Sequence, residues 1–236
     1  MSAAIKPKNR LLAALPAKEY KRMLPQLEEF SLTYTKTIYE PNDLIRRVYF
    51  PESGIISLLS AVGERSLLEV GIVGSEGFIG LPVFLGVKKS NNHALVQGAG
   101  VALAMKTTDF LTECENGGAL SHILQRYTHS LLVQISQSAV CYRFHPIEAR
   151  LARWLMMTAD RMKSENFQIT QDFLSNMLGV RREAVSKFAA NLQQRQLISY
   201  SRGSVSIVNR AGLEKITCNC YSIIKDEERS SSANGM

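Results

Sequence analysis

Apolar and polar positions along the chain fall into three successive textures. Between Leu11 and Phe30 apolar residues recur at helical spacing with a break at Pro16, which predicts a pair of short helices packed on the neighbouring β-rich segment. From Leu32 to Met105 the runs shorten and turn β-rich: Thr33–Tyr39, Arg47–Phe50, Gly54–Ala61, Ser66–Val73, His93–Gln97 and Val101–Met105. Pro41-Asn42-Asp43, Pro51-Glu52-Ser53-Gly54 and Val62-Gly63-Glu64 supply turns between them. Short strands at this spacing predict a β-barrel or jelly roll. After Thr107 a 3–4 period takes over through Leu120, Ile123, Leu124, Tyr127, Leu131, Ile135, Ser138, Ala139 and Tyr142. That is one long amphipathic helix with no interior Gly or Pro, and its stripe either pairs with its copy in a dimer or packs on its own barrel. Pro146 suits a first helical turn, so a new helix over Pro146–Lys163 opens the last domain.

The stretch Ile169–Val208 predicts a helix-turn-helix followed by a hairpin. Phe173, Leu174, Met177 and Leu178 make a short apolar face after Thr170, which suits an N-cap. Gly179 breaks the run, and Val185, Phe188, Ala189 and Leu192 resume it at i, i+3, i+4 and i+7. Opposite this second stripe stand Glu183, Ser186, Lys187, Ala190 and Gln194, with Arg181 and Arg182 at the helix start. Long hydrogen-bonding side chains near the N-terminus, with little bulk behind them, are what a helix entering the DNA major groove requires. An ordinary solvated helix face is the competing reading. Leu197–Ser201 and Ser204–Val208 alternate around Arg202-Gly203. This hairpin is either a wing whose Arg202 reaches a phosphate or a cap on the core.

Composition narrows the function classes. The 236 residues carry a formal charge of +7 and 45% hydrophobic side chains, enough for one large or two modest cored domains and consistent with an acidic partner. Cys114, Cys141, Cys218 and Cys220 are scattered, as in a reducing cytoplasm. Cys218-Asn219-Cys220 alone is a close pair, read as surface or half-buried thiols, and no metal site is expected. No apolar run is long enough to span a bilayer, and the basic start at Lys6 is followed by too short an apolar run for a secretory signal. No Ser-His-Asp order, zinc signature, phosphate loop or carboxylate pair indicates an enzyme. The polar tail from Lys225 reads as disordered.

The order of β-rich barrel, long helix and winged helix-turn-helix resembles the Crp/Fnr superfamily of bacterial transcription regulators. ITQDFLSNMLGVRREAVSKFAANLQQRQLIS is similar to that family's helix-turn-helix signature. PIEARLARWLMM is similar to the helix that opens its DNA-binding domain, and SEGFIGLPVFLG to the turn of its cyclic-nucleotide-type barrel. The resemblance implies an α+β chain: a cyclic-nucleotide-binding-like jelly roll with N-terminal helices over 1–116, a dimerisation helix over 117–144, a winged domain over 145–224 and a tail over 225–236. It implies that Arg182 and Glu183 read bases, that Lys187 stands where many members have Arg, and that Arg181 and Ser186 adjoin them.

The implied partners are palindromic double-stranded DNA, a second copy of the chain and RNA polymerase. The implied effector pocket is lined by Phe78, Gly80, Leu81, Asn92 and His93, and its ligand is unknown or absent. Members that bind cyclic AMP have a Glu where this chain has Leu81 and an Arg where it has Ser90-Asn91-Asn92-His93, so cyclic AMP is not expected. The first cysteine is Cys114, so an N-terminal iron–sulfur cluster is not expected either. His93 lies where a haem-dependent member places a ligand, but a lone strand His is more often structural, and haem is not expected. A non-enzymatic effector-binding or protein-interaction module is the alternative.

Overall fold

The computed structural model describes residues 6–62 and 66–233, so residues 63–65 of the expected Val62-Gly63-Glu64 turn lie outside it, as do 1–5 and 234–236. Two short helices come first, α1 (Arg10–Ala13) and α2 (Ala17–Met23). Asn9 caps α1 by accepting from the Leu11 and Leu12 amides. The helical reading fails beyond Met23. After one 3-10 turn, Glu28–Leu32 is strand β1, paired with Val101 and its neighbours. Sheet pairing overrides the local preference there.

The remaining strands of the N-terminal half are β2 (Thr37–Tyr39), β3 (Arg47–Pro51), β4 (Ile55–Val62), β5 (Ser66–Val73), β6 (His93–Gly98) and β7 (Gly100–Lys106). They form two antiparallel sheets, ordered β1-β7-β3 and β2-β6-β4-β5. Val48, Phe50, Ala102 and Met105 of one sheet share a core with Tyr39, Ile56, Val73, Ala94 and Val96 of the other, as in a jelly roll. The turn after β5 leads to a short helix, α3 (Leu81–Phe84). A Cβ on Gly77 would lie 2.4 Å from the Tyr127 ring, and Gly80 combines φ +124° with the close approach of Val48, so both positions need glycine.

Helix α4 (Thr107–Glu115) leads into the long helix α5 (Ala119–Phe144). Its expected stripe packs on its own barrel: Leu120, Ile123, Leu124, Tyr127 and Leu131 belong to the barrel core. Gln134 fastens the contact, accepting from the Ile72 amide at 2.6 Å and donating to the Ile72 carbonyl at 3.2 Å. Ala139, expected in the stripe, is exposed.

The C-terminal half comprises α6 (Ile147–Met162), β8 (Asn166–Gln168), α7 (Gln171–Leu178), α8 (Arg182–Gln194), β9 (Ile198–Ser201), β10 (Ser204–Ile207), α9 (Arg210–Ile216) and α10 (Cys220–Ala233). Strand β8 makes the hairpin a three-stranded sheet, ordered β8-β10-β9. The tail expected to be disordered from Lys225 is helical through Ala233. Its polar sequence is held by tertiary partners: α10 lies along α5, Glu227 meets His129, and Glu228 pairs with Arg161. Among the described residues, no helix is long and apolar enough to cross a membrane.

Candidate nucleic-acid interface

Helices α7 and α8 are joined by a tight turn whose geometry is set by two residues. The Thr170 hydroxyl accepts from the Phe173 amide at 3.1 Å and starts α7. Gly179 ends it at φ +60°, in the left-handed region that glycine enters without a Cβ penalty. Leu174, Met177 and Leu178 then pack against Val185, Ala189 and Leu192 of α8, with Phe188 partly buried beside them. The opposite side of α8 is left to solvent.

On that side Arg181, Arg182, Glu183, Ser186 and Lys187 lie at the surface, Ser186 and Lys187 flanking the buried Val185 and half-buried Phe188 positions of the inner face. Arg182, Glu183, Ser186 and Lys187, with Gln171 and Ala190, line one shallow surface depression. Arg182 lies 3.4 Å from Asp172, but both side chains are more than 60% exposed, so solvent screens the pair and leaves the guanidinium available. Arg181 is the N-cap and makes no side-chain cap hydrogen bond, so its side chain does not occupy the first amides of α8.

The hairpin turns through Arg202 at φ +48° and Gly203 at φ +76°, the two left-handed residues of a type I′ turn, which presents Arg202 at the exposed tip. The hairpin is held to the reader: the Tyr200 amide donates to Gln193 of α8 at 2.7 Å and the Tyr200 hydroxyl to the Ile169 carbonyl at 2.9 Å. Wing tip and helix are thereby fixed relative to one another.

Residues 149–216 match the family model of the Crp-like helix-turn-helix domain. The matched stretch runs from α6 to the end of α9. Three solved structures share its fold over both halves. A CRP-family transcriptional regulator of Thermus thermophilus superposes with TM-score 0.64 at 19% identity, over 80% of this chain and 95% of that one. FixK2 of Bradyrhizobium japonicum gives 0.67 at 13%, over 81% and 98%. The c-di-GMP-responsive regulator CLP of Xanthomonas campestris gives 0.62 at 16%, over 81% and 99%. No curated protein matches the chain in sequence.

The barrel brings together four of the five residues expected at the effector pocket. Phe78, Gly80, Leu81 and Asn92 line a cavity of about 130 Å³, with Tyr39, Leu58, Val70, Pro82, Ser90 and Leu131 among its other walls. His93 is not among them; its Nδ1 lies 2.6 Å from Glu40 at the surface. The cavity is small beside the roughly 300–1,000 Å³ of ordinary ligand sites. Among the described residues it is lined by no basic side chain: Lys88 and Lys89 are exposed, and Asn92 is engaged with Ser60 at 3.0 Å.

The barrel also touches the helix-turn-helix half. Leu68 of β5 packs against Gly179 in the helix-turn-helix turn, and the Tyr34 ring lies 5.8 Å from Phe173. One residue further along β5, Glu69 is buried and accepts from Trp154 Nε1 of α6 at 2.9 Å. Ser57 Oγ stands 2.8 Å from Glu69 Oε2 and 2.6 Å from Gln97 Oε1, and Gln97 Nε2 donates to Thr158 of α6 at 2.9 Å. One hydroxyl proton serves only one of two acceptors. A protonated Glu69 resolves this by donating to Ser57, which then donates to Gln97. Burial accordingly pushes the Glu69 carboxyl up to about 7 against the opposing contacts of Ser57, Arg153 and Trp154.

Sequence reasoning missed a second constellation. Three of the four thiols expected to be scattered and at least partly exposed converge: Cys141, Cys218 and Cys220 are buried, with Cys114 half-buried elsewhere. Cys141 Sγ lies 3.4 Å from Cys218 Sγ, and Cys220 Sγ lies 3.5 Å from His145 Nδ1. The signal available was Cys141 and His145 at i, i+4, one helical turn apart on the end of α5. Its pairing with the Cys218-Asn219-Cys220 motif depends on a fold that closes 77 residues of chain.

Proposed function

We propose that the chain is a cytoplasmic, homodimeric transcription regulator that binds a palindromic DNA site through α8. The observation that carries this reading is the set Arg181, Arg182, Glu183, Ser186 and Lys187 on the outer face of a Crp-like helix-turn-helix. In this reading Arg182, Glu183 and Lys187 discriminate base edges, while Arg181, Ser186 and Arg202 contact the backbone. Lysine at position 187 is a point donor where an arginine would be a fork, so the preferred base step differs from that of arginine-bearing members. RNA polymerase is the expected protein partner, and no chemical step is assigned to the chain.

The barrel acts as the input through strands shared by its cavity and the reader. Leu58 and Val70 wall the cavity, while Leu68 and Glu69 of the same hairpin touch α7 and α6. A signal that prefers one packing of this junction shifts the reader; one that binds both packings equally shifts nothing. The apolar, uncharged cavity argues for a signal other than cyclic AMP.

Electrophoretic mobility shift with a genomic library of promoter fragments, followed by footprinting, tests the reading. Protection of a two-fold symmetric site, with affinity falling steeply as salt rises, is the expected result. Salt-independent capture of protein partners with no preferred DNA would favour an interaction module instead.

A further inference from the structure

We propose that Cys141, His145, Cys218 and Cys220 form a binding site for one thiophilic divalent cation, zinc above all, clamping the α5–α6 hinge to the start of α10. All four donor atoms lie within 4.8 Å of one another. Around a zinc ion with sulfur at about 2.3 Å and nitrogen at about 2.0–2.1 Å, tetrahedral ligands stand roughly 3.5–3.8 Å apart. The Cys141–Cys218 separation of 3.4 Å and the Cys220–His145 separation of 3.5 Å are already at or near those edges. The set is too tight for an iron–sulfur cluster, whose protein ligands are spread over two or more irons.

Burial and charge favour the same assignment. The three thiols are almost fully shielded from solvent, so soft donors meet in a site closed to bulk water, as in structural zinc centres. Three thiolates and one imidazole around a divalent cation carry a net charge of −1. The guanidinium of Arg153, a residue only 3% exposed, acts electrostatically on all three sulfurs. Its Nε has no hydrogen-bond partner and its Nη1 faces the Met157 sulfur at 3.5 Å. Beside the buried Glu69 carboxyl, which Arg153 also faces electrostatically, an anionic site adds to the compensation of this buried cation. Cation binding makes the site anionic by releasing the thiol protons to solvent.

The position has a mechanical consequence. Cys141 and His145 sit at the end of α5, immediately before Pro146, the N-cap of α6. Cys218 and Cys220 lie where α9 gives way to α10. An ion held by all four fixes the angle at which the barrel helix hands over to the DNA-binding half.

The test is a cobalt(II) titration of the full-length, reduced, chelator-treated protein. Thiolate-to-cobalt absorption in the near ultraviolet and intense tetrahedral bands in the visible should saturate at one equivalent per chain and vanish on adding zinc. Cys218→Ser and Cys220→Ser should each weaken zinc by more than the roughly 10–100-fold that loss of an outer-shell partner costs, whereas Cys114→Ser should leave it unchanged. Zinc should also raise the melting temperature of the parent protein and not that of Cys218→Ser. Absence of the thiolate bands in the parent protein, which needs no variant to fold, overturns the proposal. So does a Cys141–Cys218 disulfide that persists in millimolar thiol, or a cobalt spectrum indifferent to replacement of these cysteines.

Discussion

Of the single residues, Arg182 is proposed to read a base and Arg202 to hold a phosphate, and the two roles leave different signatures. The Arg182 guanidinium is exposed at the start of α8, beside a solvent-screened Asp172. Arg182→Ala should cost about 1–3 kcal/mol on the cognate site and much less on random DNA, measured by fluorescence anisotropy on both. Arg202→Ala at the wing tip should weaken both equally and reduce the salt slope by about one. Glu69 gives a pH signature of a different kind. Its folded value of about 7 lies above the ordinary 4.5, so between these values the folded chain holds a proton that the unfolded chain has released. That contribution is complete below about pH 4.5 and is lost as pH rises through 7, to a total of order 3 kcal/mol. Glu69→Gln preserves a neutral donor and acceptor toward Ser57 and Trp154. Thermal melts from pH 5 to 8 should therefore decline less in the variant, which should be the more stable protein at pH 8.

At the level of elements, α5 carries one buried stripe and one exposed stripe. The wide apolar stripe faces the barrel, where Leu124→Ala should cost about 2–5 kcal/mol. A second side presents Gln125, His129, Leu132, Ser136, Val140 and Phe144 at 3–4 spacing, with Leu132 56% and Phe144 72% accessible. If that seam pairs two chains, Leu132→Glu with Phe144→Glu should yield monomers in sedimentation experiments, with helical content retained by circular dichroism and a melting temperature that no longer rises with protein concentration.

The sequence could not tell the two stripes apart because both obey the same helical period. It did reveal α7, the Gly179 turn, α8 and the hairpin, whose caps, stripes and turn residues all act within a few positions of one another. It concealed β1, β8 and α10, which exist through distant partners: β1 through β7, β8 through β10, and polar α10 through Arg161 and α5. The cavity residues were legible from the barrel turn, except His93, whose strand position did not disclose that Glu40 draws it to the surface. The thiol–imidazole cluster was hidden for the same reason as the missed strands, since its halves meet only after the C-terminal half has folded back.

Across the whole molecule, Arg161 ties three segments together. From the end of α6 it donates to Glu76 of the barrel turn at 2.7 Å and also to Glu228 of α10. Replacing it by Met removes the cation both carboxylates share in a buried setting, and should cost about 3–5 kcal/mol in denaturant unfolding. The apolar contacts are just as shared. Ile55, Leu59 and Ile72 of the barrel belong to the same core cluster as Trp154, Leu174, Met177, Val185 and Leu192 of the reader. The barrel has a core of its own, but the interior of the helix-turn-helix half is completed by barrel strands. Heating should melt them together in one calorimetric transition whose van't Hoff and measured enthalpies agree. A molecule bound anywhere in the barrel should then be heard as a single shift of that transition, so the protein's own melting curve becomes an assay for any ligand of the barrel.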